Sequence, residues 1–132
     1  MTGVSMIRPF YIAVFATLLA ACATAVPLAN TQEEWVTLLI HFEASDEGLE
    51  DLSEIMRGVS EAMQTEPGFV SAVVYNDVDD PNTIVLAEVW ETKRDHLEHF
   101  DRIVASGDWA YINSLLTSEP DMGYFVEQAS AE

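Results

Sequence analysis

The sequence predicts one α+β domain of ferredoxin-like βαββαβ order, with an antiparallel sheet covered by helices. Apolar residues alternate in four short segments and recur at helical spacing in the segments between them. The chain has 132 residues, 49% of them apolar, which suffices for one core but not for two. Cys22 is the single cysteine, so no intrachain disulfide can support that core.

The first two elements are a strand and a helix. Residues 35–44 are predicted to form the strand, with one face made by Val36, Leu38, Ile40 and Phe42. Residues 45–66 are predicted to form the helix, because their apolar side chains share one stripe: Leu49, Leu52, Ile55, Met56, Val59 and Met63. We expect Ser45 or Asp46 to cap this helix and Glu66-Pro67-Gly68 to end it.

A hairpin is predicted next. Residues 69–76 and 83–90 are rich in β-branched side chains, and a turn-rich hexapeptide, DVDDPN, separates them. In the second strand, Glu88 and Trp90 share a face with Ile84 and Leu86. This face is expected to point towards the core.

The last three segments complete the predicted order. A helix follows Thr92, its expected N-cap, with an inward stripe of Leu97, Phe100, Ile103 and Val104. A second helical stretch, at residues 108–119, is expected to bury Trp109, Ile112, Leu115 and Leu116. Pro120 ends that stretch, and residues 122–128 are predicted to form the final strand.

The charge is strongly negative. Lys and Arg together number 5 against 23 Asp and Glu, which gives a formal net charge of -18. Binding to nucleic acid or to an anionic lipid surface needs Lys and Arg at the contact, so neither is expected. A solvated acidic surface is the simplest interpretation, and a specific cationic partner is the alternative.

The first 34 residues differ from the rest. Residues 1–21 have one cation, Arg8, and then a long apolar run, which is typical of a secretory signal peptide. Leu19-Ala20-Ala21-Cys22 resembles a bacterial lipobox, which implies export and a lipid anchor at Cys22 in the cell envelope, facing the periplasm or in the outer membrane. Residues 22–34 would then be a linker and 35–129 the folded domain. Cleavage at residues 23–25 or Ala29, and an uncleaved membrane anchor, are the alternatives.

Several motifs in this order resemble the antibiotic biosynthesis monooxygenase domain of the dimeric α+β barrel superfamily. They are the turn at Gly48, Glu66-Pro67-Gly68-Phe69, Asp79-Asp80-Pro81, Glu88-x-Trp90, and His99 nine residues after that Trp. The resemblance covers about residues 36–128. It implies a homodimer whose sheets pack face to face, with a pocket between sheet and helices in each subunit. Some members oxidise quinols or polycyclic phenols with O₂ and without metal or flavin, and others degrade haem.

The resemblance also suggests site residues. His99 is expected to be the catalytic base, with His41 as an alternative base; the expected substrate contacts are Trp90, Tyr75, Glu88, His96 and Trp109. On a helical wheel His96 lies closer than His99 to the predicted inward stripe, so the two lines of reasoning disagree about which histidine faces inward. A core role for Trp90 and solvent-facing histidines are the structural alternatives.

Two functions remain open from the sequence. The first is a cofactor-independent monooxygenase acting on a small aromatic or quinol-like molecule. The second is a non-catalytic ligand-binding or interaction lipoprotein, which gains support because several oxygenases of the superfamily carry an Asn where Leu86 stands. No cofactor or metal is expected; a haem role and a metal site built from His96 and His99 are the alternatives.

Overall fold

A computed structural model describes residues 35–128. It contains seven elements: β1 (Val36–Glu43), α1 (Leu49–Ala62), β2 (Phe69–Asn76), β3 (Thr83–Trp90), α2 (Lys93–Ser106), α3 (Asp108–Ser114) and β4 (Asp121–Phe125). The predicted α+β ferredoxin-like order is confirmed, and the hairpin strands have the predicted bounds. The predicted signal peptide, the lipobox and the linker lie outside the described residues. Within residues 35–128, no helix is long and apolar enough to span a membrane.

The four strands form one antiparallel sheet in the order β2-β3-β1-β4. β1 is central, and Leu38 pairs with Glu88 on one side and with Tyr124 on the other. Side chains directly opposite each other in a sheet point to the same face. Glu88, Leu38 and Tyr124 therefore form one row across the sheet.

The helices pack on the face of the sheet that carries this row. Burial alternates along β1 and β3, as the sequence predicts. The buried core contains Leu38, Ile40, Phe42, Ala44, Leu52, Met56, Ile84, Leu86 and Leu115. The opposite, outer face has no helix of the described residues on it, and it carries Leu39, Val73, Val85, Ala87, Val89 and Phe125.

The predicted N-cap is confirmed for α2 and wrong for α1. Thr92 is the N-cap of α2, and its hydroxyl accepts a hydrogen bond from the backbone N–H of Asp95 at 3.1 Å. The predicted cap of α1 was wrong, because residues 46–48 form a turn first and Gly48 occupies the N-cap position. Ser45 stabilises that turn, since its hydroxyl accepts from the Gly48 N–H at 3.0 Å.

The predicted inward stripe of α2 was wrong at two positions. Leu97 is 43% exposed and Val104 is 49% exposed. The stripe that faces the sheet is instead His96, His99, Phe100 and Ile103. These residues follow the i, i+3, i+4, i+7 spacing, so α2 turns two imidazoles towards the core.

Candidate functional site

A pocket of about 360 Å³ lies between the sheet and the helices. Its walls are mostly apolar, and its ionisable groups come from β3, α2, α3 and the turn after α1. The lining residues are Ile40, Phe42, Ile55, Met56, Val59, Ala62, Met63, Glu66, Leu86, Glu88, His96, His99, Phe100, Ile103, Asp108, Trp109 and Ile112. Apolar walls with a few converging polar groups are the usual design of a small-molecule site.

Glu88 is a buried carboxyl group on the sheet wall of the pocket. It is 4% exposed, and the indole N–H of Trp90 donates to its Oε2 at 2.8 Å. Burial raises the pKa of the Glu88 carboxyl, and the hydrogen bond from Trp90, which favours the carboxylate, offsets only part of that rise. The pocket therefore contains a group suited to hold a proton.

His96 lies between Glu88 and Tyr124. Its Nδ1 is 2.6 Å from the Tyr124 hydroxyl, and its Nε2 is 3.9 Å from Oε2 of Glu88. Burial, reinforced by the nearby charge of His99, lowers the pKa of His96 to about 4. This imidazole is therefore neutral at physiological pH, with one nitrogen that donates and one that accepts.

His99 faces a carboxylate at the turn after α1. Its Nδ1 lies 3.3 Å from Oε2 of Glu66, which also forms an ion pair with Arg102. The contact is close but not aligned as a hydrogen bond, and this Nδ1 is the sole buried side-chain N or O atom without a partner in the described region. The Arg102 guanidinium lowers the pKa of the Glu66 carboxyl most, burial opposes this, and His99 lowers it further. Glu66 is consequently an anion beside His99.

Trp90 packs against both imidazoles and does not itself line the pocket. Its side chain is fully buried, and its ring centroid lies 5.4 Å from that of His96 and 5.3 Å from that of His99. Phe69 packs on the same ring at 5.5 Å. The expectation that Trp90 forms a wall of the pocket was wrong, because the two histidines lie between the indole and the pocket.

His41 and Tyr75 lie on the outer face of the sheet. His41 pairs with Val85 on β3, Tyr75 pairs with the same Val85 from β2, and both side chains are exposed. Their predicted places in the pocket were wrong, because strand alternation turns them away from the helices. Glu88, His96, His99 and Trp109, by contrast, all line the pocket.

The sequence reasoning missed Glu66 and Tyr124. Glu66 was assigned only to the turn after the first helix, and Tyr124 only to the final strand. Strand alternation gives a partial signal for Tyr124, which shares the buried face of the sheet with Leu38. No comparable signal exists for Glu66, because its contact with α2 depends on tertiary packing.

The histidines do not form a metal centre with the carboxylates. Within residues 35–128, no three His, Cys, Asp or Glu side chains come together closely enough to hold a metal ion. His96 and His99 are separated by 6.3 Å between ring centroids, and each faces a different carboxylate.

Residues 35–103, more than half of the chain, match the family described as antibiotic biosynthesis monooxygenase. No curated protein matches the sequence. Among solved structures, a conserved protein from Methanosarcina mazei superposes with a TM-score of 0.64 at 13% identity, covering 72% of this chain and 94% of that one.

Two oxygenases from Streptomyces share the fold as well. A Streptomyces coelicolor monooxygenase from the gene ActVA-Orf6, in complex with nanaomycin D, gives a TM-score of 0.61 at 20% identity and covers 75% of this chain and 92% of its own. SnoaB from Streptomyces nogalater, a cofactor-independent oxygenase, gives a TM-score of 0.62 at 16% identity. The match covers 74% of this chain and 96% of that one. At these identities the structures show a common fold. The sequence match establishes that the chain belongs to the antibiotic biosynthesis monooxygenase family.

Proposed function

We propose that the protein binds a neutral phenol or quinol in the pocket and oxygenates it with O₂ without a bound cofactor. The observation that carries this proposal is the pairing of apolar pocket walls with Glu88, His96 and His99 on the lining. Cofactor-free oxygenation needs an electron-rich aromatic ring, a base to deprotonate it, and a partly dry site. Family membership and the fold shared with a cofactor-independent oxygenase support the same class of reaction.

The charge of the protein favours a neutral substrate. The chain carries a formal net charge of -18, and Glu66 and Asp108 add carboxyl groups to the pocket lining. An anionic aromatic acid would be repelled by this field and would also lose hydration inside the pocket. A neutral quinol avoids both costs and becomes an anion only after it is bound.

His99 is proposed as the base, with Glu66 as the carboxylate that orients it. Glu66 lies beside Nδ1 of His99, which leaves Nε2 to accept a phenolic proton. The resulting quinolate transfers an electron to O₂. For a naphthohydroquinone the products are a hydroxynaphthoquinone and water, so one oxygen atom enters the product. The substrate supplies all the electrons, and no further reductant is consumed.

Oxygen uptake with naphthohydroquinone tests this proposal. We expect the purified protein to consume O₂ faster than the uncatalysed background and to place one atom of labelled O₂ in the hydroxynaphthoquinone, measured by mass spectrometry. His99→Ala should lower the enzymatic rate by roughly 100-fold, the size of a lost general base. His41→Gln, on the outer face, is the control and should keep the wild-type rate. Wild-type consumption at background level, or equal rates for wild type and His99→Ala, would contradict the proposal.

A non-catalytic binding role is the second function that a specific observation favours. Leu86 contributes an apolar side chain to the pocket and is 3% exposed, so this position offers no polar contact for a reacting group. In that case the same quinol would bind to the pocket, and oxygen uptake would stay at background. Binding and uptake measured on one sample separate the two functions.

The outer face of the sheet is proposed to contact a second copy of the chain. Its apolar side chains include Val73 at 47% exposure and Phe125 at 52%. Exposed apolar side chains grouped on one sheet face are typical of a protein interface, and the face-to-face dimer implied by the family resemblance would cover them. We expect light scattering to give twice the mass of the chain, and Val73→Lys to yield a monomer. A wild-type monomer would contradict this.

The predicted lipid anchor at Cys22 remains a proposal. It would hold the folded domain at the bacterial envelope through the 22–34 linker, within reach of quinols in the membrane. Acylation would appear as added mass on Cys22 in the purified protein, and an unmodified Cys22 would contradict it.

A further inference from the structure

Three side chains from three elements form a line from the pocket to the edge of the sheet. Glu88 on β3 and Tyr124 on β4 both lie opposite Leu38, and His96 on α2 contacts the two of them. Glu88 is almost completely buried, whereas Tyr124 lies on an edge strand and is partly exposed. The line therefore connects a buried carboxyl group with a phenol that solvent can reach.

The hydrogen bond at the outer end joins two groups that can each donate or accept a proton. Burial, reinforced by the charge of Glu88, raises the pKa of Tyr124, so its hydroxyl keeps its proton. That hydroxyl lies 2.6 Å from Nδ1 of His96, and the tautomer of the imidazole decides which of the two donates. In the tautomer that has its ring proton on Nε2, the nitrogen nearer to Glu88, the hydroxyl donates to Nδ1.

We propose that Tyr124 and His96 conduct protons between solvent and Glu88 in the pocket. In the inward direction, Nε2 of His96 gives its proton to the Glu88 carboxylate while the Tyr124 hydroxyl gives its proton to Nδ1. Solvent then restores the proton on Tyr124. The reverse sequence carries a proton outward and returns His96 to its first tautomer. Each step moves one proton between two named atoms, and no electrons are transferred.

The neutral state of His96 suits this role better than the role of a base. An imidazole with a pKa of about 4 rarely stores a proton at neutral pH, but it can accept one at one nitrogen while it releases another at the other. The gap of 3.9 Å between Nε2 and Glu88 is longer than a hydrogen bond. A small rotation of the ring, or one bridging water, would close it.

The proposed path rests on the proposed function, because oxygenation is the reaction that would need protons in the pocket. Oxygenation takes a proton from the quinol early and returns one to the departing oxygen atom late, so the pocket has to hold a proton between these steps. Glu88, with its raised pKa, can hold this proton, and the path would let Glu88 exchange protons with solvent. The other titratable groups nearby are His99 on α2, which faces Glu66, and Lys93, whose side-chain nitrogen lies 4.4 Å from the centre of the Tyr124 ring.

Proton exchange measured by NMR tests the path without any substrate. In the purified protein at neutral pH, we expect the ring N–H of His96 to exchange rapidly with water, although the side chain is 4% exposed. Tyr124→Phe keeps the ring and removes the hydroxyl, and it should slow this exchange by roughly tenfold or more, because the proton route is cut. Tyr75→Phe, on the exposed outer face, is the matched control and should leave the exchange rate unchanged.

The direction of the change separates the path from a structural role. If the Tyr124 hydroxyl only shields His96, its removal opens the site and exchange becomes faster. Faster or unchanged exchange in Tyr124→Phe would therefore overturn the proposal. The exchange measurement needs no substrate. If Tyr124→Phe slows the exchange as expected but the protein shows no oxygen uptake, the result contradicts the proposed function alone.

Discussion

Trp90→Ala is expected to lower the free energy of unfolding by about 3–5 kcal/mol, the usual cost of truncating a large buried aromatic side chain. The side chain is fully buried and packs against Phe69, His96 and His99. Urea denaturation at equal protein concentrations measures the difference, since self-association would make stability depend on concentration. Val78→Ala, at a side chain that is 96% exposed, should change the value by less than about 0.5 kcal/mol.

Trp90→Phe separates the two contributions of the indole to the free energy of unfolding, which are its packing and its hydrogen bond to Glu88. Phenylalanine retains most of the packing but removes the N–H that donates to Glu88. We expect a loss of about 1–3 kcal/mol, because the partner atom is buried and would be left without its donor. If Trp90→Ala were no more destabilising than Val78→Ala, the indole would not be the support of the two imidazoles, and the description of the site would be wrong.

The interior and the surface of this domain differ in charge. The surface is strongly acidic, whereas the inner groups, Glu88 and His96, are shifted by burial towards their neutral forms. Burial therefore disfavours the charged forms of both groups, which favours the entry of a neutral aromatic molecule. Ionisation of the bound molecule would then be controlled by His99 and Glu66 at the turn after α1.

Short-range patterns were sufficient to predict the bounds of the two hairpin strands, whereas the final strand ends at Phe125, three residues before its predicted end. Alternation in β2 and β3 depends only on neighbouring residues, and both strands have the predicted bounds. The same alternation places Glu88 and Trp90 on the buried face together. The cap of α2 was also predictable, because Thr92 and Asp95 are close in sequence.

The site depended on information that a single sequence does not supply. Hydrophobicity favoured Leu97 and Val104 as the inward residues of α2, but the cavity in front of Trp90 accepts His96 and His99 instead. Those imidazoles can be buried because other elements provide partners, Tyr124 from β4 and Glu66 from the turn after α1. Contacts between residues so distant in sequence could not be read from spacing.

The positions of His41 and Tyr75, on the outer face of the sheet, were predicted wrongly for a different reason. His41 was considered as a base because of its residue type, and Tyr75 as a wall because it is aromatic. Each lies on a correctly predicted strand, and strand alternation places it on the face opposite to that of the buried Phe42 and the half-buried Val74. In both cases the position in the strand, and not the chemical type of the side chain, determines which face the residue occupies.

Binding of naphthol to pocket-filling variants tests the central claim most directly, namely that the pocket is the ligand site. Ala62→Trp on α1 and Ile103→Trp on α2 each place an indole at the pocket lining. Calorimetric titration should show that each variant binds naphthol roughly tenfold or more weakly than wild type, which is about 1.4 kcal/mol of binding free energy. Val78→Trp adds the same group to the exposed turn and should bind like wild type. Wild-type affinity in both pocket variants, or loss of affinity in Val78→Trp alone, would contradict the account.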